Sequence, residues 1–337
     1  MGCNNKTDLP QLLRCMTRRP RTPVPLQRLT LSFCWNNAQI LHGLFSLFSV
    51  DTLVIDPAQR PKCLEKSAAH IKALFPPASV TLQSLVIREN TKPLYEFLER
   101  VLVPGGLRGF ATGPWLREDL PYIHQFLRSP AARNLLSISV MGGIEDLHGP
   151  HLAATGTPLV RKIPSATLAQ CTHVQYFRFG LAHYPHTMYP GRYFPTPLNS
   201  LRPLLVSLPA SLRAFSLHVW IAISPGWDSV VAGWNTAIES FAVVDRWFDP
   251  AREGRRFRHL RRVELHVHFW SWNGETFRRN ESAAEKRARQ DIERVADPLP
   301  RLRAAGLLRE FRVDDVVCDP DKRNFMPDVY WPSDLET

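Results

Sequence analysis

One six-residue pattern recurs down this chain: an apolar residue, two variable residues, a second apolar residue, one variable residue and a third apolar residue. Copies stand at Leu26-Leu29-Leu31, Val50-Leu53-Ile55, Leu82-Leu85-Ile87, Leu135-Ile138-Val140, Val174-Phe177-Phe179, Leu212-Phe215-Leu217, Leu260-Val263-Leu265 and Leu308-Phe311-Val313, with a ninth, weaker copy at Leu107-Phe110-Thr112. The second and third apolar positions lie two residues apart, which is the alternation of a strand with one buried face. Successive copies begin 24 to 32 residues apart over the first five and 38 to 48 apart thereafter. That leaves room for a helix between each pair of strands. A strand that recurs with a helix between copies, along most of a chain, implies a solenoid with parallel strands joined by right-handed crossovers.

The intervening stretches carry helical spacing. Ala38 to Phe48 sets Ile40, Leu41, Leu44, Leu47 and Phe48 on one stripe. Leu64 to Phe75 and Pro93 to Val103 do the same, and Asp119 to Leu127 is a shorter case. Ser229 to Phe248 predicts a long amphipathic helix, with Val230, Val231, Trp234, Ile238, Phe241, Val244 and Trp247 toward the core. Glu281 to Val295 is dense in charge and predicts a solvated helix with i,i+4 pairs.

Composition narrows the class of protein. Hydrophobic residues make up 44% of 337 residues, which excludes wholesale disorder. The 29 prolines fall mostly between the periodic segments, as an array with unequal turns requires. The net charge of +11 is consistent with a polyanionic partner. It is equally consistent with a composition bias, since 34 of the basic residues are Arg and only 8 are Lys, and acids are interleaved among them. The six cysteines, Cys3, Cys15, Cys34, Cys63, Cys171 and Cys318, form no C-x-x-C pair and have no zinc spacing, so free thiols in a reducing compartment, cytoplasmic or nuclear, are expected. No apolar run reaches the ~18 residues of a membrane span. Met1-Gly2-Cys3 opens like an acylation signal, but Lys6 stands where that signal has Ser or Thr. No nucleophile elbow, P-loop, metalloprotease or dinucleotide motif occurs, and the Gly105-Gly106 and Gly142-Gly143 pairs read as turns. Neither an enzyme activity nor a cofactor is therefore expected.

The repeated pattern resembles the leucine-rich repeat. In that family a ninth position holds Asn or Cys, whose side chain bonds the turn backbone. Cys34 and Asn90 satisfy it; Ala58, Trp115, Gly143, Trp220 and His268 are among the residues that do not. Irregular arrays with long, unequal repeats are similar to the substrate-receptor region of fungal F-box proteins. Asp8-Leu9-Pro10-Gln11-Leu12-Leu13 is similar to the opening of the box itself, but the box needs some 40 residues of helix and the first strand begins at Leu26. A capping helix ahead of the array is the reading adopted. The expected organisation is an N-terminal segment and capping helix over 1–25, an irregular leucine-rich-repeat-like α/β solenoid over 26–317 with its parallel sheet concave and its helices convex, and a tail over 318–337 that caps the last strand. The resemblance implies a non-enzymatic protein-binding module of the substrate-receptor type lacking its own complete F-box. The alternative is a basic nucleic-acid or nucleoprotein binder.

If the apolar positions point inward, the residues between them face the concave side. In the early copies these are small or mixed, as at Arg28, Thr30 and Ser32 or Gly109, Ala111 and Gly113. In the late copies they are Tyr176 and Arg178; Ser216, His218 and Trp220; Arg262, Glu264, His266, His268 and Trp270; and Glu310, Arg312 and Asp314. The candidate binding patch is Tyr176, Arg178, His218, Trp220, Arg262, Glu264, His266, His268, Trp270, Arg312 and Asp314, since Trp, Tyr and Arg dominate interface energies. Equal registers would align His218, His266 and Asp314 in one row and Ser216, Glu264 and Arg312 in another, with Trp220 beside His268. The first row has the residue types of a metal or acid–base site, but nothing supplies a further ligand, so a polar ladder is expected and no metal is assigned. The aromatic loop Leu181 to Pro197, the loop Ser271 to Arg279 and the arginine run Arg252 to Arg262 are further recognition candidates. The same geometry predicts that Leu85 and Phe215 tolerate no charge while Ser84 and Ser216, one residue earlier or later, accept one.

Overall fold

The computed structural model describes residues 23–31, 44–55, 77–88, 92–113, 119–142, 168, 171–183, 201, 204–223, 227–249, 256–271, 299–317 and 328–331. The chain is α/β and forms two compact units, Met1–Gly113 with Glu118–Leu136, and Pro114–Arg117 with Ser137–Thr337.

In the first unit the pattern folds into β1 (Val24–Leu31), β2 (Phe48–Ile55), β3 (Ser84–Ile87) and β4 (Gly109–Thr112), parallel and paired in chain order. Leu29 lies opposite Leu53, Leu53 opposite Leu85, and Leu85 opposite Phe110. The repeat therefore fixes the register as well as the strands. Helix α1 (Lys92–Val101) follows β3 and α2 (Leu120–Arg128) follows β4. Leu94, Tyr95, Leu98 and Val101 of α1 are all but fully buried. The Tyr95 and Phe110 rings each pack on Phe126 of α2, at 5.3 and 5.4 Å between centroids. Gly105 takes a left-handed φ of +68°, and a Cβ there would stand 2.6 Å from Asn134 Nδ2, so this turn needs glycine.

The second unit holds β5 (Ser137–Gly142), β6 (Tyr176–His183), β7 (Ala214–Ile223), β8 (Arg262–Ser271) and β9 (Leu308–Val317), again parallel and in chain order. Ile138, Phe177, Phe215 and Val263 form one buried row across four strands. Helix α3 (Trp227–Trp247) covers it with Ala237, Phe241, Val244 and Phe248 just beyond its end, and Phe248 meets Phe215 at 5.1 Å. Ile238 and Trp247, expected in the core, are only half-buried. A short helix not anticipated from sequence, α4 (Pro300–Ala304), precedes β9; the buried Asp245 carboxylate of α3 accepts its Leu302 N–H at 2.9 Å, satisfying a terminal donor.

Four expectations are corrected. Val24 and Pro25, placed in the N-terminal segment, belong to β1. Phe48, placed in a helix, opens β2; residues 44–47 ahead of it are helical, and 38–43 lie outside the described residues. The second face is not open at β3, β4, β5 and β7: Ser84, Ala111, Ser139 and Ser216 are buried, at 5% or less exposure. Ser216 lies between Arg178 and Glu264 on the flanking strands, and Ser84, between Thr52 and Gly109, is 5% exposed, so charge at Ser84 or Ser216 is not tolerated as the alternation suggested. The fourth correction, to the register of β9, bears on the site and is given below. The expected capping helix with its Leu9-Pro10 sequence, the helices over 64–75 and 281–295, and the loops over 184–197 and 272–279 lie outside the described residues.

Among the described residues no helix is long and apolar enough to cross a membrane. The Cys171 thiol is pushed up to about 11 by burial. A thiol stays protonated below its pKa, and only the thiolate attacks. Alkylation at pH 8, followed by peptide mass spectrometry, should therefore leave Cys171 largely unlabelled until the chain is denatured.

Candidate functional site

Alternation along β6 to β9 sets Tyr176, Arg178, His218, Trp220, Arg262, Glu264, His266, His268 and Arg312 on one face of the second unit. Trp270 and Asp314 occupy strand positions of the same parity, but their side chains lie outside the described residues. Tyr176, Glu264, His266 and His268 are buried, Trp220 and His218 half-buried, and Arg312 exposed.

The last strand departs from the expected register. Val263 pairs with Leu308, yet Glu264 pairs with Glu310, so Arg309 is extra and forms a bulge. Beyond it β9 has slipped by two residues: Arg312 lies opposite His266 rather than Glu264, and Asp314 opposite His268 rather than His266. A slip of two keeps every side chain on its face, so the hydrophobic pattern cannot detect it. The aligned row His218-His266-Asp314 therefore does not form, and neither does Ser216-Glu264-Arg312.

A histidine cluster takes its place. His218 pairs with His266 in register, but its ring also reaches across to His268. His218 Nδ1 and His268 Nε2 are 2.8 Å apart, with the rings inclined by 17° and their centroids 5.0 Å apart. That is an edge-to-edge hydrogen bond sharing one proton. His218 Nε2 meets Ser216 Oγ at 3.0 Å. The His266 ring stacks on His218 at 4.4 Å, and Trp220 stacks on His268 at 4.2 Å. The ligating nitrogens of the three rings all lie within 4.8 Å of one another. Burial first, then the charges of Arg178 and the neighbouring histidines, holds His218 well below its ordinary pKa, so the ring is neutral near pH 7. The chain Ser216–His218–His268 has the connectivity of a nucleophile, a base and an orienting group. Ser216 is wholly buried, however, so its hydroxyl cannot meet a substrate.

Beside the cluster lies an ionic group. Arg262 Nε donates to the Glu264 carboxylate, and Arg262 approaches Glu310 at 4.0 Å. His266 Nε2 stands 3.8 Å from Glu264. Burial alone would raise the Glu264 pKa, but the polar groups of His266, Tyr330 and Arg262 directed at it, together with the Arg262 charge, hold it at about 2. Arg178 is lowered by burial and supported in its charged form by Tyr330, Glu264 and Asp328. Its Nε makes no hydrogen bond among the described residues.

Sequence reasoning missed one partner of this face. The tail residues 328–331, expected on the last strand, lie instead across β5, β6 and β7. Ser137 Oγ donates to the Tyr330 carbonyl at 2.6 Å. The Arg178 guanidinium sits 4.6 Å from the Tyr330 ring centre. Tyr330 packs with Tyr176 and Ala214, and Trp331 meets Tyr176 edge-on at 6.1 Å. The signal was present as Asp328-Val329-Tyr330-Trp331, an acid followed by an aromatic pair, but nothing local says which strands it meets. The arginine run is partly accounted for: Arg256 donates to the Val206 carbonyl and, at 3.0 Å, to the Leu208 carbonyl, so it anchors a turn.

No protein-family model, curated protein or solved structure matches the chain.

Proposed function

We propose that this chain is a non-enzymatic protein-binding module, an irregular leucine-rich-repeat-like solenoid of the substrate-receptor type, and that the Arg178–His218–Trp220 face of its second unit receives an extended segment of its partner. The observation that carries this reading is that the same face already holds a segment of the chain, Asp328 to Trp331, through a half-buried arginine, an aromatic contact and a hydrogen bond to its backbone. Parallel strands in chain order, with buried rows in register, support the repeat architecture. Tyr, Trp and Arg on one connected surface are the residue types of interface hot spots. A nucleic-acid partner draws support from the overall charge alone, and on this face Glu264, Glu310 and Asp328 offset the arginines.

Arg262 holds buried Glu264, so its removal would disturb the fold. Trp220→Ala with Arg312→Ala is the better probe, because both residues reach the surface. Partner capture on the immobilised chain, quantified by mass spectrometry, should fall by about 30-fold in that double variant, the equivalent of ~2 kcal/mol. Capture that is unchanged, or that disappears on nuclease treatment, would overturn the reading.

A further inference from the structure

We propose that His218, His266 and His268 form a binding site for a borderline divalent transition-metal ion of the zinc class. The three rings come from adjacent positions on two hydrogen-bonded strands, so the backbone holds them together whether or not an ion is present. Their nitrogens lie within 4.8 Å of one another; ligands about 2.0–2.1 Å from one tetrahedral Zn²⁺ stand about 3.3 Å apart, so ring rotations alone must draw them in. The outer contacts are those that orient metal-bound imidazoles. Ser216 holds His218 Nε2 at 3.0 Å, which leaves its Nδ1 facing the cluster, and a Glu264 oxygen stands 3.8 Å from His266 Nε2, near enough to attract a metal-bound imidazole.

The shared proton between His218 and His268 marks where the ion enters. With His218 protonated at Nε2, its Nδ1 lone pair accepts from His268 Nε2. Moving the His268 proton to Nδ1 turns both facing nitrogens into donors of lone pairs, with no net loss of a proton. The 2.8 Å gap must then open by about 0.5 Å, and the near-parallel rings must turn to converge on the ion. Glu264 supplies the adjacent negative charge that a dication needs beside Arg178 and Arg262. Three imidazoles with a coordination position left for water favour zinc, cobalt or nickel over magnesium or calcium. The inference is independent of the partner's identity.

The test is titration of the full chain, first stripped with chelator, with Co²⁺ and then Zn²⁺. One equivalent of Co²⁺ should give the visible bands of a low-symmetry nitrogen site, and Zn²⁺ should displace it. His268→Gln should weaken binding at least 100-fold, whereas His259→Ala, an exposed histidine elsewhere in the unit, should leave it unchanged. X-ray absorption on the zinc-loaded unaltered chain should count three imidazoles, a readout that survives if the variant does not fold. Absence of stoichiometric binding, a coordination shell with fewer than three imidazoles, or equal loss in the His259→Ala variant would overturn the proposal.

Discussion

Phe215→Asp unfolds the second unit. The Phe215 ring is wholly buried between Phe177, 6.3 Å away and parallel to it, and Phe248. Truncating such a ring to Ala costs about 3–5 kcal/mol in lost burial and cavity. Aspartate adds an ionised carboxylate that nothing in this row can pair with, a further several kcal/mol. The sum matches the ~5–15 kcal/mol that holds an ordinary domain together. Leu85→Asp does the same to the first unit. Thr30→Asp, on the exposed face of β1, should change stability by less than about 0.5 kcal/mol. Circular-dichroism melts of the three variants check this. Equal effects in Leu85→Asp and Thr30→Asp would mean the inward and outward faces are wrongly assigned.

Removing the Glu264 side chain has the second largest effect. Glu264 is 4% exposed and pairs with Arg262, with Arg178 charged close by. Deleting the buried member of such a pair costs up to about 3–5 kcal/mol, although Arg262 keeps Glu310 at 4.0 Å and some access to water. Glu264→Ala should therefore lower urea stability by that amount. Added salt should barely rescue it, since the group is shielded from solvent. The exposed pair Lys92–Glu96, 3.6 Å apart on α1, is the contrast: Glu96→Ala should cost at most about 0.5 kcal/mol. A loss below 1 kcal/mol in Glu264→Ala would show that the ionic group is not the anchor described.

The strands and six of the seven described registers were legible in the sequence because both are written in spacing. Leu53, Leu85 and Phe110 sit at the same place in their copies, and equal copies align equal positions. The site was legible only as a face. Period-two alternation tells which residues share a side of the sheet but not how far along it they stand, so the offset of β9, three residues at Val263–Leu308 and two beyond the bulge at Arg309, set Asp314 opposite His268 rather than His266 unseen. The His218–His268 contact is diagonal and depends on ring orientation, which spacing does not carry. The tail was read as a cap on the nearest strand. Its aromatic pair instead goes where Tyr176, Ala214 and Arg178 offer a buried surface, more than 100 residues earlier in the chain.

The central claim is that this face recognises an extended acidic–aromatic segment. It is tested most directly by supplying that segment from outside. A fluorescent peptide spanning residues 324–335 is titrated into the unaltered chain and into the Tyr330→Ala, Trp331→Ala variant, with anisotropy as the readout. In the unaltered chain the tethered tail competes at an effective concentration on the order of millimolar. The account predicts saturable binding to the double variant at least ten-fold tighter than to the unaltered chain, abolished when Arg178→Ala is added. A folded double variant that binds the peptide no better than the unaltered chain would contradict it.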